Sequence, residues 1–248
     1  MLSRLLFSAI IAGVLAGVAV AALQHFTTTP LILEAETYEG AGEEHVHPAA
    51  QDNASGAPVV PAQTETTVAE PEEEEWAPAD GFQRTAYTSV ATIGSGVGFA
   101  LILLSLMVLS NAQITARTGL MWGTAAFTAT GLATALGLSP ELPGSAAAAL
   151  EARQLWWIGT AIASGAGLWL ILRLSSPLAI VIGAVLIVAP HVVGAPHPSA
   201  YTSAVPGELS DHFASASLVA QALCWALAGS IAGYVWQRLA RSADDAVA

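Results

Sequence analysis

Lysine is absent from this 248-residue chain, and all seven basic residues are arginine. That absence removes the P-loop lysine of ATPases and every Schiff-base mechanism, so the chain does not energise transport as an ATPase. A single cysteine, Cys224, excludes an internal disulfide and the paired-cysteine motifs of structural zinc and redox sites, and it leaves the compartment open. Charge is scarce too. Charged residues make up 10% of the chain against 54% hydrophobic, with a mean hydropathy of +0.60, which lies outside the range of soluble domains. The H-E-x-x-H, G-x-S-x-G and dinucleotide-binding signatures are missing, so nothing in the sequence points to an enzyme. A membrane-embedded hydrolase would need a histidine or carboxylate beside a nucleophile at depth, and only His191 comes near.

What is present is apolar length. A membrane-crossing helix needs roughly 20 mostly apolar residues, and six stretches meet that: Leu5–Leu23, Thr88–Leu109, Gly119–Leu138, Gln154–Leu172, Pro177–Ala195 and Phe213–Trp236. The expected fold is all-α, a polytopic helical membrane protein with about six transmembrane helices and one long acidic extracytoplasmic loop. Its parts are a first span at 1–23, a His-containing, partly disordered loop at 24–87 and a five-helix membrane domain at 88–248. Arg4 before a run ending in small residues also fits a cleaved signal peptide, but the run exceeds the usual h-region of ~7–15 residues. Gly13 and Gly17 form a G-x-x-x-G pair suited to close helix packing, or reflect ordinary glycine enrichment in membrane helices.

The arginines orient these spans, because short cytoplasmic loops carry the basic residues. With a cytoplasmic N-terminus, Arg4, Arg117, Arg173, Arg238 and Arg241 fall inside and only Arg84 and Arg153 outside. Trp156 and Trp157 then mark an outer interface, and Trp122, Trp169 and Trp236 an inner one. Trp225 is mid-span and reads as packing. The expected location is the inner membrane of a bacterial cell, in contact with lipid, and no nucleic acid is expected as a partner.

Once oriented, all six histidines, His25, His45, His47, His191, His197 and His212, lie at or near the outer face. Imidazole is the commonest metal-binding side chain, so this segregation suggests capture of a metal from outside; chance and the greater length of the outer loops are the plainer account. The first outer loop, 24–83, holds thirteen carboxylates and no basic residue, enough to explain the net charge of −12, and it draws cations by long-range field. Its middle, 51–71, is rich in Ala, Pro and Thr and reads as a flexible linker. Within the loop, Glu43-Glu44-His45-Val46-His47 offers two carboxylates and two imidazoles to a borderline divalent metal, or is a solvated acidic run. The run Glu72–Glu75 reads as a solvated face.

Two further sets are candidates. Pro190 is expected to break the fifth span and to expose His191 and His197 to a cavity, unless the span simply ends at Ala189. Glu208, Asp211 and His212 follow helical spacing and share a face, although Ser210 or Asp211 also fits the N-cap of span six. Gln221 and Cys224, one turn apart, are deeper ligand candidates, with packing the plainer reading of the cysteine. No Asp or Glu falls in the middle of a span, which argues against a carboxylate proton relay.

Several ordered segments resemble the CbtA family of proposed cobalt transporter subunits: PLILEAE at 30–36 with Tyr38 and Glu39, WAPADGFQR at 76–84, GLSPELPG at 137–144, RQLWW at 153–157, PHVVGAPHP at 190–198 and the stretch 208–217. The resemblance implies cobalt(II) as the transported ion, with no tightly bound cofactor, and a small single-span partner, CbtB, carrying its own histidine cluster. The family is described with five spans, one fewer than counted here. Ligand type alone does not prefer cobalt over nickel or zinc. The expectation is a metal permease capturing the ion through Glu43, Glu44, His45, His47, His25, His191, His197, Glu208, Asp211 and His212. Its alternative is a metal-binding accessory or sensor that conducts no ion.

Overall fold

The structure, a computed structural model, describes residues 1–43, 78–174 and 176–245. Every regular element among these residues is helical: α1 Leu2–Phe26, α2 Thr28–Glu43, α3 Phe82–Leu109, α4 Ala116–Phe127, a π-helical turn Thr128–Leu132, α5 Ala133–Ala135, α6 Leu150–Leu174, α7 Pro177–Val193 and α8 Gly207–Asp245. Four of them, α1, α3, α6 and α8, are long and apolar enough to cross a membrane, and α7 is a shorter apolar helix.

Small residues decide how these helices meet. A Cβ on Gly13 or Gly17 of α1 would overlap the α3 backbone at Val97 or Ile93, and one on Gly96 would overlap the Gly13 carbonyl. The G-x-x-x-G pair is therefore a packing device. On α4, Gly119 and Gly123 lie against Gly229 and Trp225 of α8 in the same manner, and Gly167 of α6 lies against Gly183 of α7. Lipid tails are as apolar as leucine, so close backbone approach, not burial of large side chains, supplies the contact energy in such bundles. The core follows suit: Ala9, Ala12, Ala16, Ala100, Ala228 and Ala232 are buried with Leu103, Leu104 and Met107, and Trp225 stacks on Phe99 with ring centroids 4.1 Å apart. Large apolar side chains face outward instead, among them Phe7, Ile10, Leu15, Ile162, Val181 and Val185. In water such a surface would aggregate, whereas in a bilayer it is the lipid-facing side.

Three boundaries differ from the sequence reading. The segment after the first span is not loop at its start: α2 places Leu31, Ile32, Ala35 and Tyr38 on one side, packed against Leu142, Val205 and Leu209. Its ion pair to the bundle, Glu36 with Arg84, is supplemented by Asp80 at 3.2 Å from Arg84. Pro190 does not break α7, which continues to Val193 and ends at Gly194, whose φ of +87° suits only glycine. A proline this near the C-terminus frees one carbonyl in the preceding turn and is tolerated there. Finally, α8 starts at Gly207, not at Ser210 or Asp211, so Glu208 lies in its first turn. The proposed linker at 51–71 lies outside the described residues.

The α2 tether carries its own prediction. Arg84→Ala removes a partly exposed ion pair worth about 1 kcal/mol, so α2 should open roughly fivefold more often. Cleavage after Glu34 and Glu36 by a glutamate-specific protease should accelerate in proportion, as read by mass spectrometry of the released fragments; an unchanged rate would mean that the apolar contacts alone hold α2.

Candidate functional site

The helices alternate in direction, which sorts the polar residues to two ends. Gly13 meets Val97 and Gly17 meets Ile93, so α1 and α3 are antiparallel. Val20 packs with Ala220 and Cys224 while Arg4 lies 3.9 Å over the Trp236 ring, so α1 and α8 are antiparallel as well. One end thus carries the C-terminus of α1, the start of α3, the 136–149 connection, the C-terminus of α7 and the start of α8. His25, His191, His197 and His212 all lie there. The other end carries Arg4, Arg117, Arg173, Arg238 and Arg241.

The two groups of arginines are engaged differently. At the histidine end Arg84 pairs with Glu36 and Asp80, and Arg153 pairs with Glu141. At the opposite end Arg173 donates to the Ser110 carbonyl at 3.1 Å and lies 5.4 Å from the Trp169 ring, and Arg238 lies 5.2 Å from the Tyr234 ring. The arginines that depart from the sequence-derived orientation are the ones held by carboxylates.

Within this frame the candidate ligands are spread out. Glu208, Asp211 and His212 share the exposed face of the first turns of α8, while Val205 and Leu209 are buried. His25 is exposed with its ring edge-on to Phe26 at 5.1 Å, and His197 is exposed in the connection after α7. His191 is half-buried, 5.9 Å from the Trp156 ring, with Nε2 enclosed and unpartnered, and the Trp156 indole donates to the Pro190 carbonyl at 3.3 Å. Glu43 ends α2, and Glu44, His45 and His47 lie outside the described residues. Among the described residues, no three His, Cys, Asp or Glu side chains converge to hold a metal. Cys224 is buried among Val20 and Ala220, as packing requires.

Sequence reasoning missed a cavity of about 680 Å3 at the same end, lined by Thr130, Gly131 and Thr134, by Glu141, Arg153 and Gln154, and by Gln221 of α8. The π-helical turn forms its inner wall. Such turns, with i→i+5 bonding, are wider than α-helix and occur often at functional sites; here the Ala133 N–H donates to the Thr128 carbonyl. Glu141 and Arg153 neutralise each other at its rim. The legible signals were a run of Thr124, Thr128, Thr130 and Thr134 in one helix and Gln221 mid-span, each polar residue costly in lipid unless it meets protein or water.

The comparison with known families decides what this bundle is. Residues 2–237 match the family described as "Probable cobalt transporter subunit (CbtA)". The chain belongs to the CbtA family. Nearly its whole length takes part, from the first turn of α1 to the last turns of α8, so CbtA accounts for every helix described above. No curated protein and no solved structure matches the chain. The description of the CbtA family as a probable cobalt transporter subunit fits a helical bundle with several apolar helices and implies partner subunits.

Proposed function

We propose that this chain is the membrane subunit that admits cobalt(II) to the cell, crossing the bilayer six times with its N-terminus in the cytoplasm of a bacterial inner membrane. The observation that carries the reading is the family match over residues 2–237. The arginine distribution supports the orientation: five arginines lie at one end, and the two at the other are paired with carboxylates. The histidine end then faces outward. The acidic segment after α1 concentrates cations, and Glu43, Glu44, His45 and His47 take up the ion from it. His25, His191, His197 and the face of Glu208, Asp211 and His212 pass the ion toward the cavity beside α5. Partial loss of the hydration shell follows beyond that cavity. A small CbtB-like single-span subunit is the proposed partner, and the membrane potential, an ion gradient or trapping inside the cell drives net entry.

A second reading, an accessory or sensor that binds metal and conducts none, draws on the exposure of Glu208, Asp211 and His212, which face solvent and not the cavity. Accumulation of radioactive cobalt by cells expressing the full chain with a CbtB-like partner separates the two. Transport predicts accumulation above empty-vector cells, and a fall of about tenfold in the His45→Ala/His47→Ala variant, as expected for loss of two ligands to a divalent ion. No accumulation, with metal binding to the purified chain retained, would favour the sensor.

A further inference from the structure

A second cavity, of about 670 Å3, lies on the other side of the π-helical turn, lined by Leu103, Ala125, Ala129, Gly165, Trp169 and Arg173 among others. Ala129 belongs to this cavity and Thr130 to the polar one, so a single turn of backbone separates them. That turn is closed by contact. A Cβ on Gly131 would overlap the Gln221 carboxamide oxygen and come within 2.8 Å of the Phe127 ring.

The polar side of the turn is rich in acceptors. Thr134 Oγ1 donates to the carbonyls of Thr130 at 2.8 Å and Gly131 at 3.1 Å, and Thr130 Oγ1 donates to Ala126 at 2.8 Å. Their hydrogens spent on backbone, both hydroxyl oxygens keep lone pairs to offer. Gln221 makes no hydrogen bond within the described chain, although it lies eight residues into the expected span 213–236, about 12 Å along the helix. A carboxamide at that depth needs a polar partner. Water bound to a cation presents only hydrogens outward, so acceptors suit it. Six such waters occupy roughly 180 Å3 at ~30 Å3 each, well within the cavity.

We propose that the polar cavity ends in an outer-sphere site for a hydrated divalent cation, formed by Gln221, Thr130 and Thr134, and that Gly131 with Phe127 and Gln221 closes the way to the apolar cavity. The proposal rests on the transport reading and names the ion's first stopping point. It places the ion's first barrier at the π-helical turn and not at Pro190.

The test uses cells expressing the full chain with its partner, at matched membrane levels. Gln221→Leu and Gly131→Val should each lower radioactive cobalt accumulation by about tenfold, and Gln221→Glu, which keeps an acceptor, should retain it. In a Cys224→Ala background, Thr130→Cys, at a half-buried position on the polar cavity, should react with a membrane-impermeant thiosulfonate from outside, and hexaamminecobalt(III), which mimics the hydrated ion without shedding its ligands, should protect it. Ala125→Cys, across the turn, should stay unmodified from that side. Unchanged accumulation in both Gln221→Leu and Gly131→Val, or equal modification of Ala125→Cys and Thr130→Cys, overturns the proposal and leaves transport standing. A chain that accumulates no cobalt at all sinks the transport reading. The hexaammine protection then decides the site by itself: protection upholds it and its absence overturns it.

Discussion

Gly229→Val is expected to be the most damaging single substitution in the bundle, costing about 3 kcal/mol, at the upper end of what overpacking usually costs. A Cβ at this position would overlap the Gly119 carbonyl and come within 3.3 Å of Leu103. The Leu103 methyl can give by a few tenths of an ångström, but the Gly119 carbonyl is helix backbone and cannot swing away, so α4 and α8 must part. The contact also cannot be relieved locally, because Gly123 and Gly233 hold the same two helices at the same separation against Trp225 and Thr115. Gly13→Val should act alike on α1 and α3. The comparison substitutions lie on α3 itself: Gly94 and Gly98 have nothing within 4 Å of an added Cβ, so Gly94→Val and Gly98→Val should be near neutral. Thermal unfolding of the detergent-purified chain, followed by tryptophan emission, reads the difference, since Trp225 sits at the α4–α8 contact. Equal losses at Gly94 and Gly229 would mean that glycine serves backbone flexibility here and not close approach.

Glu141→Gln is expected to lower cobalt accumulation by about tenfold while leaving the amount of protein in the membrane unchanged. The carboxylate pairs with Arg153 at the rim of the polar cavity. Without it the guanidinium, which never loses its proton, becomes an uncompensated charge beside the route of a divalent cation. Coulomb's law at an effective dielectric constant of about 20 gives about 3 kcal/mol between +1 and +2 charges about 10 Å apart, and a tenfold effect needs only about 1.4 kcal/mol. Glu141→Gln/Arg153→Gln removes both charges and should recover most of the accumulation. That recovery is the decisive arm. A double variant as poor as Glu141→Gln would show that the pair shapes the 136–149 connection and does not act through charge.

Much of the bundle was legible because membrane helices announce themselves by length. Apolar runs at 5–23, 88–109, 154–172 and 213–236 fall within the long helices α1, α3, α6 and α8, and the G-x-x-x-G pair at Gly13 and Gly17 does what its spacing suggested. Hydropathy reads α2 poorly, because Glu34 and Glu36 dilute an apolar face that only its partners Leu142, Val205 and Leu209 reveal. Pro190 misled for a related reason. A proline's missing N–H breaks a helix interior, but the cost depends on how many turns remain, and here Gly194 ends the helix within one.

By itself the sequence determined the solvent, the helical class, the packing role of Gly13 and Gly17 and the placing of His25, His191, His197 and His212 at one end, since each depends on composition or on spacing along the chain. It also held the family, in segments spread from 30 to 217. Only the tertiary structure decided which polar residues share a space. Gln221 and Gly131 are ninety residues apart in sequence, and neither is unusual alone. They meet because α4 and α8 cross on glycines, which brings a carboxamide against a helical turn widened enough to receive it. The ion pairs Glu36–Arg84 and Glu141–Arg153 arise in the same way, as consequences of helix direction and approach, which no local pattern of residues encodes.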